Sequence, residues 1–174
     1  HAMKALRISI ADQALEVVDD GVVTHRYPVS TASNGAGERN GSYCTPRGRH
    51  VIRAKIGADQ PPGAVFVRRR PTGEIHTPEF AAANPRRDWI LTRILWLSGC
   101  ERGFNRGGDV DTMRRYIYIH GTPDSTELGR PGSIGCVRMR NADLVELFDA
   151  VPAGTPVDII EGPLADAAAD TETQ

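Results

Sequence analysis

From its first residues the chain alternates apolar and polar positions one by one, and that period of two predicts strands. Leu6, Ile8 and Ile10 interleave with Arg7 and Ser9, the pattern of a half-buried strand from Lys4 to Ile10. Leu15 and Val17 continue it, Asp19-Asp20-Gly21 reads as a hairpin turn, and Val23, His25, Tyr27 and Val29 alternate again. A meander of antiparallel strands is therefore expected. Ser33 to Ser42 is a polar loop, and Thr45-Pro46-Arg47-Gly48 is a turn leading into His50-Val51-Ile52-Arg53. Pro61, Pro62, Gly63, Pro71, Gly73 and Pro78 crowd the stretch Gln60 to Pro78, which is expected to be irregular. Asp88 to Leu97, with Trp89, Ile90, Ile94, Leu95 and Trp96, reads as a buried strand. Arg115 to His120 reads as another, stopped by Gly121-Thr122-Pro123-Asp124, and Gly99 to Gly108 as a loop.

The period lengthens once. Leu144, Val145, Leu147, Phe148 and Val151 form a helical stripe behind Asn141, a good N-cap, with Asp143 in the first turn. Pro152-Ala153-Gly154 ends that helix and Thr155 to Ile160 is a last strand. The expected architecture is mainly β, a sandwich with one notable helix.

At 174 residues this is one domain, able to bury a core without disulfides or metals. His1-Ala2-Met3 reads as a cloning remnant before a native start, residues 4–162 as the domain, and residues 163–174, rich in Ala, Asp and Thr, as a disordered tail. Twenty-one basic against 22 acidic residues leave a formal charge of -1, which excludes the basic profile of a nucleic-acid binder. Eighteen glycines and 12 prolines, with aromatics at 6%, fit short elements joined by turns rather than a bundle. Three cysteines cannot all pair and none stand in metal-ligand spacing, so a reducing compartment and a working thiol are expected, with no metal and no cofactor. After Met3 comes neither a basic-then-apolar export segment nor a membrane-length apolar run. That implies the cytoplasm if Met3 is the native start, and a periplasmic or other extracytoplasmic site if a signal peptide has been removed.

The candidate chemistry lies in Tyr116-Ile117-Tyr118-Ile119-His120-Gly121-Thr122 and Gly132-Ser133-Ile134-Gly135-Cys136-Val137-Arg138-Met139, which set one histidine and one cysteine sixteen residues apart. A thiol attacks a carbonyl as its thiolate, and an imidazole is the usual proton acceptor. An isolated cysteine is more often a small buried hydrophobe. That reading leaves Ser133, Gly135 and Arg138 around the thiol unexplained, so Cys136 is taken as nucleophile and His120 as base.

His120-Gly121-Thr122 with Ser133-x-Gly135-Cys136-x-Arg138 resembles the active-site motif of the YkuD (ErfK/YbiS/YcfS/YnhG) family of L,D-transpeptidases. Tyr27-Pro28-Val29-Ser30-Thr31, Thr45-Pro46-x-Gly48-x-His50 and Asp143 to Phe148 followed by Gly154-Thr155-Pro156-Val157 are also similar, so the likeness spans roughly residues 4 to 160. The resemblance implies an L,D-transpeptidase-like β-sandwich whose helix follows the cysteine motif. It implies a peptidoglycan stem peptide or muropeptide as substrate, cut between the L-centre of its third residue and a terminal D-alanine through a thioester on Cys136. The backbone N–H groups of Cys136 and of a neighbouring loop residue, with Gly135 permitting close approach, are expected to hold the oxyanion. A backbone carbonyl or Ser133 fixes the His120 tautomer. Arg138 steadies the turn or binds a substrate carboxylate, and Tyr118, Gly121 and Thr122 line the groove. Water as acceptor gives an L,D-carboxypeptidase of muropeptide recycling, which is preferred here because no export signal is seen; an amine gives a 3–3 crosslink. Neither membrane nor nucleic acid is an expected partner, and reactivity toward carbapenems is. Where many relatives carry a second histidine before the glycine, this chain has Ile134.

Elsewhere the plainer readings are preferred: Cys44 a bystander, Cys100 structural, His25 and His50 structural, and Arg68-Arg69-Arg70 a solvated run that weakly favours anionic ligands. A non-catalytic muropeptide-binding module and a zinc site built on Cys136 and His120 are the readings of other classes.

Overall fold

The structure, a computed structural model, describes residues 3–165. The alternation at the start folds as expected into a meander: β1 (Lys4–Ser9), β2 (Ala14–Asp19) and β3 (Val22–Ser30) run antiparallel, with Leu6 opposite Val17 and Leu15 opposite Tyr27. β4 (Gly48–Ile56), β7 (Ile90–Gly99), β8 (Tyr118–Gly121), β9 (Val137–Met139) and β10 (Pro156–Ile160) complete a ring whose order is β4-β10-β1-β2-β3-β9-β8-β7. β4 pairs with β10 on one side and β7 on the other, so the sandwich closes on itself. Leu6, Ile8, Leu15, Val29, Ile52, Leu95, Leu97 and Ile119 fill its interior at 1% exposure or less.

Two elements depart from the sequence expectation. The proline-bearing stretch expected to be irregular forms the hairpin β5 (Ala64–Val67) and β6 (Arg70–Ile75), attached to β7 through Val65–Leu91 and Phe66–Ile90. Pro71 is tolerated because β6 is the outermost strand, where a missing N–H breaks no ladder. A short helix, α1 (Pro78–Ala83), follows, capped by Thr77 Oγ1 accepting from the Phe80 N–H at 3.0 Å.

The long helix α2 (Asn141–Ala150) buries Leu144, Leu147 and Phe148 against the ring, as its stripe predicts; Val145 is only half-buried. Its cap differs from expectation. Arg140 is the N-cap residue and offers no side-chain bond, while the Asn141 side chain turns to the end of β8. At the other end Lys55 Nζ donates to the Phe148 and Val151 carbonyls at 2.6 and 2.8 Å, satisfying acceptors the last turn leaves open. The tail expectation also shifts: Leu164 is 1% exposed and its N–H is held by Asp12 Oδ2 at 2.9 Å, so the ordered chain runs past residue 163. Residues 166–174, like His1 and Ala2, lie outside the described residues.

His50 is buried on β4, with Nδ1 against the Gly48 carbonyl and Nε2 against Thr112 Oγ1. Burial drives its pKa down to about 4. The unfolded chain therefore takes up a proton below about pH 6.5 that the folded one refuses, so stability falls as the solution is acidified. From pH 6.5 to pH 5, before most carboxylates titrate, His50 alone is expected to cost roughly 1.5 kcal/mol of folding free energy. Urea unfolding at the two pH values measures this, and equal midpoints would contradict it.

Candidate active site

β8 and β9 lie side by side and parallel, with Ile119 opposite Val137 and His120 opposite Arg138. Cys136 stands directly before β9, so the strand pairing brings the two motifs together across the fifteen intervening residues. The sulfur accepts the Tyr118 N–H and donates to the Tyr116 carbonyl, both at 3.3 Å. It opens onto a cavity of about 530 Å³ whose walls include Tyr43, Arg68, Asp88, Arg115, Tyr116 and Ile134.

The turn that presents the sulfur is clamped from three sides. Ser133 Oγ donates to the Cys136 carbonyl at 2.5 Å and accepts the Gly135 N–H at 3.1 Å. Thr45 Oγ1 donates to the Gly135 carbonyl at 2.9 Å, and the N–H groups of Gly132 and Ser133 both reach the Thr31 carbonyl at 2.9 Å. Two segments that matched only as flanking sequence, around Thr31 and around Thr45, thus hold the thiol-bearing turn. Gly135 has φ +137°, a conformation L side chains rarely adopt, and a Cβ there would press on Ile117 Cδ1 at 3.2 Å.

His120 is 1% exposed. Its Nδ1 lies 2.6 Å from the Gly121 carbonyl. A carbonyl only accepts, so in the neutral ring Nδ1 carries the hydrogen and Nε2 is the basic nitrogen. Of the two candidates for fixing the tautomer, the backbone carbonyl does so, and Ser133 is occupied with the turn. Gly121 and Thr122, expected on the groove, are not among the residues lining the cavity. Both are buried: a Cβ on Gly121 would sit 2.2 Å from Asn141 Oδ1 and 2.6 Å from the Leu91 carbonyl, and Thr122 Oγ1 donates to Thr126 Oγ1. Their place is structural, because the end of β8 is packed between α2 and a bulge in β7. There Asn141 Nδ2 donates to the Thr122 carbonyl, and Asn141 Oδ1 accepts from Thr92 Oγ1 at 2.6 Å. Thr92 itself holds φ +78°, an outlier for a β-branched residue.

Desolvation sets the resting charges. The Cys136 thiol, enclosed on most sides yet reaching the cavity, has its pKa pushed up to about 12, and burial also holds that of the His120 imidazole below its ordinary value. Asp88 and Arg138 act on both groups in opposite senses, the carboxylate raising each pKa and the guanidinium lowering it. The pair therefore rests as neutral thiol and neutral ring at pH 7. Among the described residues the sulfur makes no hydrogen bond to the imidazole: its own hydrogen goes to the Tyr116 carbonyl, while the Tyr118 N–H it accepts favours the thiolate.

Arg138 is already engaged, by Asp88 Oδ1 at 3.2 Å and the Gly132 carbonyl at 2.9 Å. Tyr118 lines the cavity and its hydroxyl accepts from Arg69 Nη1 at 2.9 Å. At the expected oxyanion turn the Gly135 N–H is taken by Ser133. Arg115, which no motif marks out, donates to the carbonyls of Gly37, Glu38 and Cys44 and pins the Ser33–Ser42 loop over the cavity. Cys44, read as a bystander, turns its own sulfur toward the Asn34 and Ser42 carbonyls, but its carbonyl adjoins Gly135. Cys100, read as structural, is exposed. No group of three or more metal-ligating side chains occurs among the described residues, nor any helix long and apolar enough to cross a membrane.

Comparison with known proteins adds three findings. Residues 3–159 match the family model of YkuD, the L,D-transpeptidase catalytic domain. A 50-residue stretch is 48% identical to a protein of Escherichia coli named as a probable L,D-transpeptidase, ErfK/SrfK, covering 29% of this chain and 16% of that one. The fold is similar to an L,D-transpeptidase of Xylanimonas cellulosilytica (TM-score 0.53, 22% identity, covering 91% of this chain and 60% of that one). It is also similar to L,D-transpeptidase 3 of Mycobacterium tuberculosis, solved with a faropenem-derived adduct (TM-score 0.56, 19% identity, 92% and 61% covered). The chain thus matches less than two thirds of the length of each of these proteins.

Proposed function

The chain belongs to the YkuD family of L,D-transpeptidase catalytic domains, and from that premise we propose that it is a cysteine acyltransferase acting on peptidoglycan stem peptides, with water as its preferred acceptor. The observation that carries this reading is a sulfur opening at the floor of a 530 Å³ cavity on a clamped glycine turn, with a buried neutral imidazole on the adjoining strand. His120 Nε2 takes the Cys136 proton as the sulfur attacks the carbonyl of the third stem residue. The C–N bond to the terminal D-alanine then breaks, the departing amine takes the proton from the imidazolium, and the acyl group remains as a thioester. Water, deprotonated by the same ring, adds to that thioester and returns the hydrogen to sulfur, releasing the tripeptide.

Charge supports water over an amine. The cavity wall carries Arg68, Arg69 and Arg115 against one carboxylate, Asp88, and such a wall repels the ammonium form in which an acceptor amine arrives at pH 7. The names of the relatives favour the second reading, transfer to an amine with a 3–3 crosslink. A tetrapeptide ending in D-alanine, incubated with and without an acceptor amine and followed by mass spectrometry, tests both. Free tripeptide and D-alanine are expected in either mixture. Dimer without tripeptide would overturn the choice of water, and no D-alanine release in any mixture would overturn acyl transfer.

A further inference from the structure

The tip of the β5–β6 hairpin is a two-residue turn made of Arg68 and Arg69, at φ +50° and +65°. Positive φ at both positions is the geometry for which Asn-Gly is the favoured pair, because glycine has no Cβ to clash and the short polar side chain of asparagine tolerates the left-handed region. Two arginines in those positions are a poor choice for folding alone, and backbone strain of this kind gathers where a site needs particular side chains.

The guanidinium groups around the cavity differ in what occupies them. Arg69 packs over the rings of Trp96 and Tyr116, 4.9 and 4.7 Å from their centroids, and donates to the Tyr118 hydroxyl. Arg115 serves loop carbonyls, and Arg138 is bound by Asp88. Arg68 is exposed and lines the cavity, and no hydrogen bond or ion pair to it occurs among the described residues. Its neighbour Arg69 fixes the tip against the aromatic wall and so fixes where Arg68 can reach.

We propose that Arg68 is a specificity-determining residue that binds a carboxylate of the ligand over Cys136, presented by a hairpin turn that Arg69 locks in place. The proposal rests on the acyl-transfer reading for the identity of the ligand, but its charge preference belongs to the cavity itself. A guanidinium fork matches a carboxylate in a bidentate manner. On a stem peptide the carboxylate is the terminal one or that of a side chain.

Two measurements test it. Alkylation of Cys136 by iodoacetate and by iodoacetamide, read at that residue by peptide mass spectrometry, compares an anionic with a neutral probe of equal shape. The rate ratio is expected to fall about fivefold in Arg68→Asn, whose side chain suits the left-handed turn, and to be largely kept in Arg68→Lys. An unchanged ratio in Arg68→Asn overturns the proposal. In the second, tetrapeptide binding to the Cys136→Ala protein is measured by calorimetry with the terminal carboxylate amidated, with the side-chain carboxylates amidated, and with neither. Whichever amidation weakens binding, and does so only while Arg68 is present, identifies the carboxylate. Equal weakening with and without Arg68 counts against it. If no peptide binds but the iodoacetate preference still depends on Arg68, the substrate reading fails and the carboxylate site stands.

Discussion

A Cys136→Ala variant is expected to keep its fold and to release no tripeptide. Removing the nucleophile of a concerted pair typically costs roughly 10⁴- to 10⁶-fold in turnover, which places residual D-alanine release below detection in an ordinary assay. The fold should survive because the sulfur contributes two weak contacts, to Tyr116 and Tyr118, while the turn is held by Ser133, Thr45 and Thr31. Intact mass after exposure to a carbapenem gives a second readout. The parent should gain one covalent drug adduct on Cys136 and the variant none. Turnover in the alanine variant above about one part in a hundred of the parent would mean that the nucleophile lies elsewhere.

Replacing the proposed base, His120, is expected to have the next largest effect. His120→Gln keeps a donor for the Gly121 carbonyl but removes the nitrogen that accepts the thiol proton, and a loss of about 10²- to 10⁴-fold in kcat/KM is expected. The pH profile of the parent identifies the group. The imidazole must be neutral to act, and burial holds its pKa below the ordinary value near 6.5, so activity should rise with pH along a limb centred below pH 6.5. The thiol, with its pKa near 12, remains protonated through pH 9 and adds no alkaline loss in that range. The acid limb should vanish in His120→Gln. A limb centred above pH 7 in the parent would contradict a desolvated ring.

Much of this arrangement was legible in the chain, for reasons that can be stated residue by residue. The strands β1 to β3 follow from strict alternation, and α2 from its apolar stripe, because in both the pattern is local and the period unambiguous. Cys136 and His120 were visible because thiol and imidazole are rare, and because glycine and serine beside the sulfur mark a turn that a buried structural cysteine does not need. What escaped was long-range. Nothing local tells that Pro71 sits on an outer strand, so the β5–β6 hairpin read as irregular. Asn141 has the side chain of a helix cap, and only the proximity of β8 and the β7 bulge diverts it to the Thr122 carbonyl. Gly121 looked like a residue against which a substrate lies, whereas it is small because Asn141 and the Leu91 carbonyl press on it. Arg115 and Asp88 shape the cavity through partners distant in sequence, and an isolated arginine or aspartate carries no signal of that.

The ring closure through β4 has one more consequence. Each strand of the ring has a neighbour on both sides, β3 meeting β9 only at Val29 and Ser30, whereas β6 is paired on one flank alone among the described residues and forms the outer rim of the hairpin. Strand rims are where foreign chains add themselves, and proteins blunt them with shortness, charge and imino acids. β6 is six residues long, begins Arg70-Pro71 and carries Glu74. The hairpin that walls the cavity is thereby guarded against recruiting a neighbouring molecule into an intermolecular sheet, and can stand open to ligands without inviting aggregation.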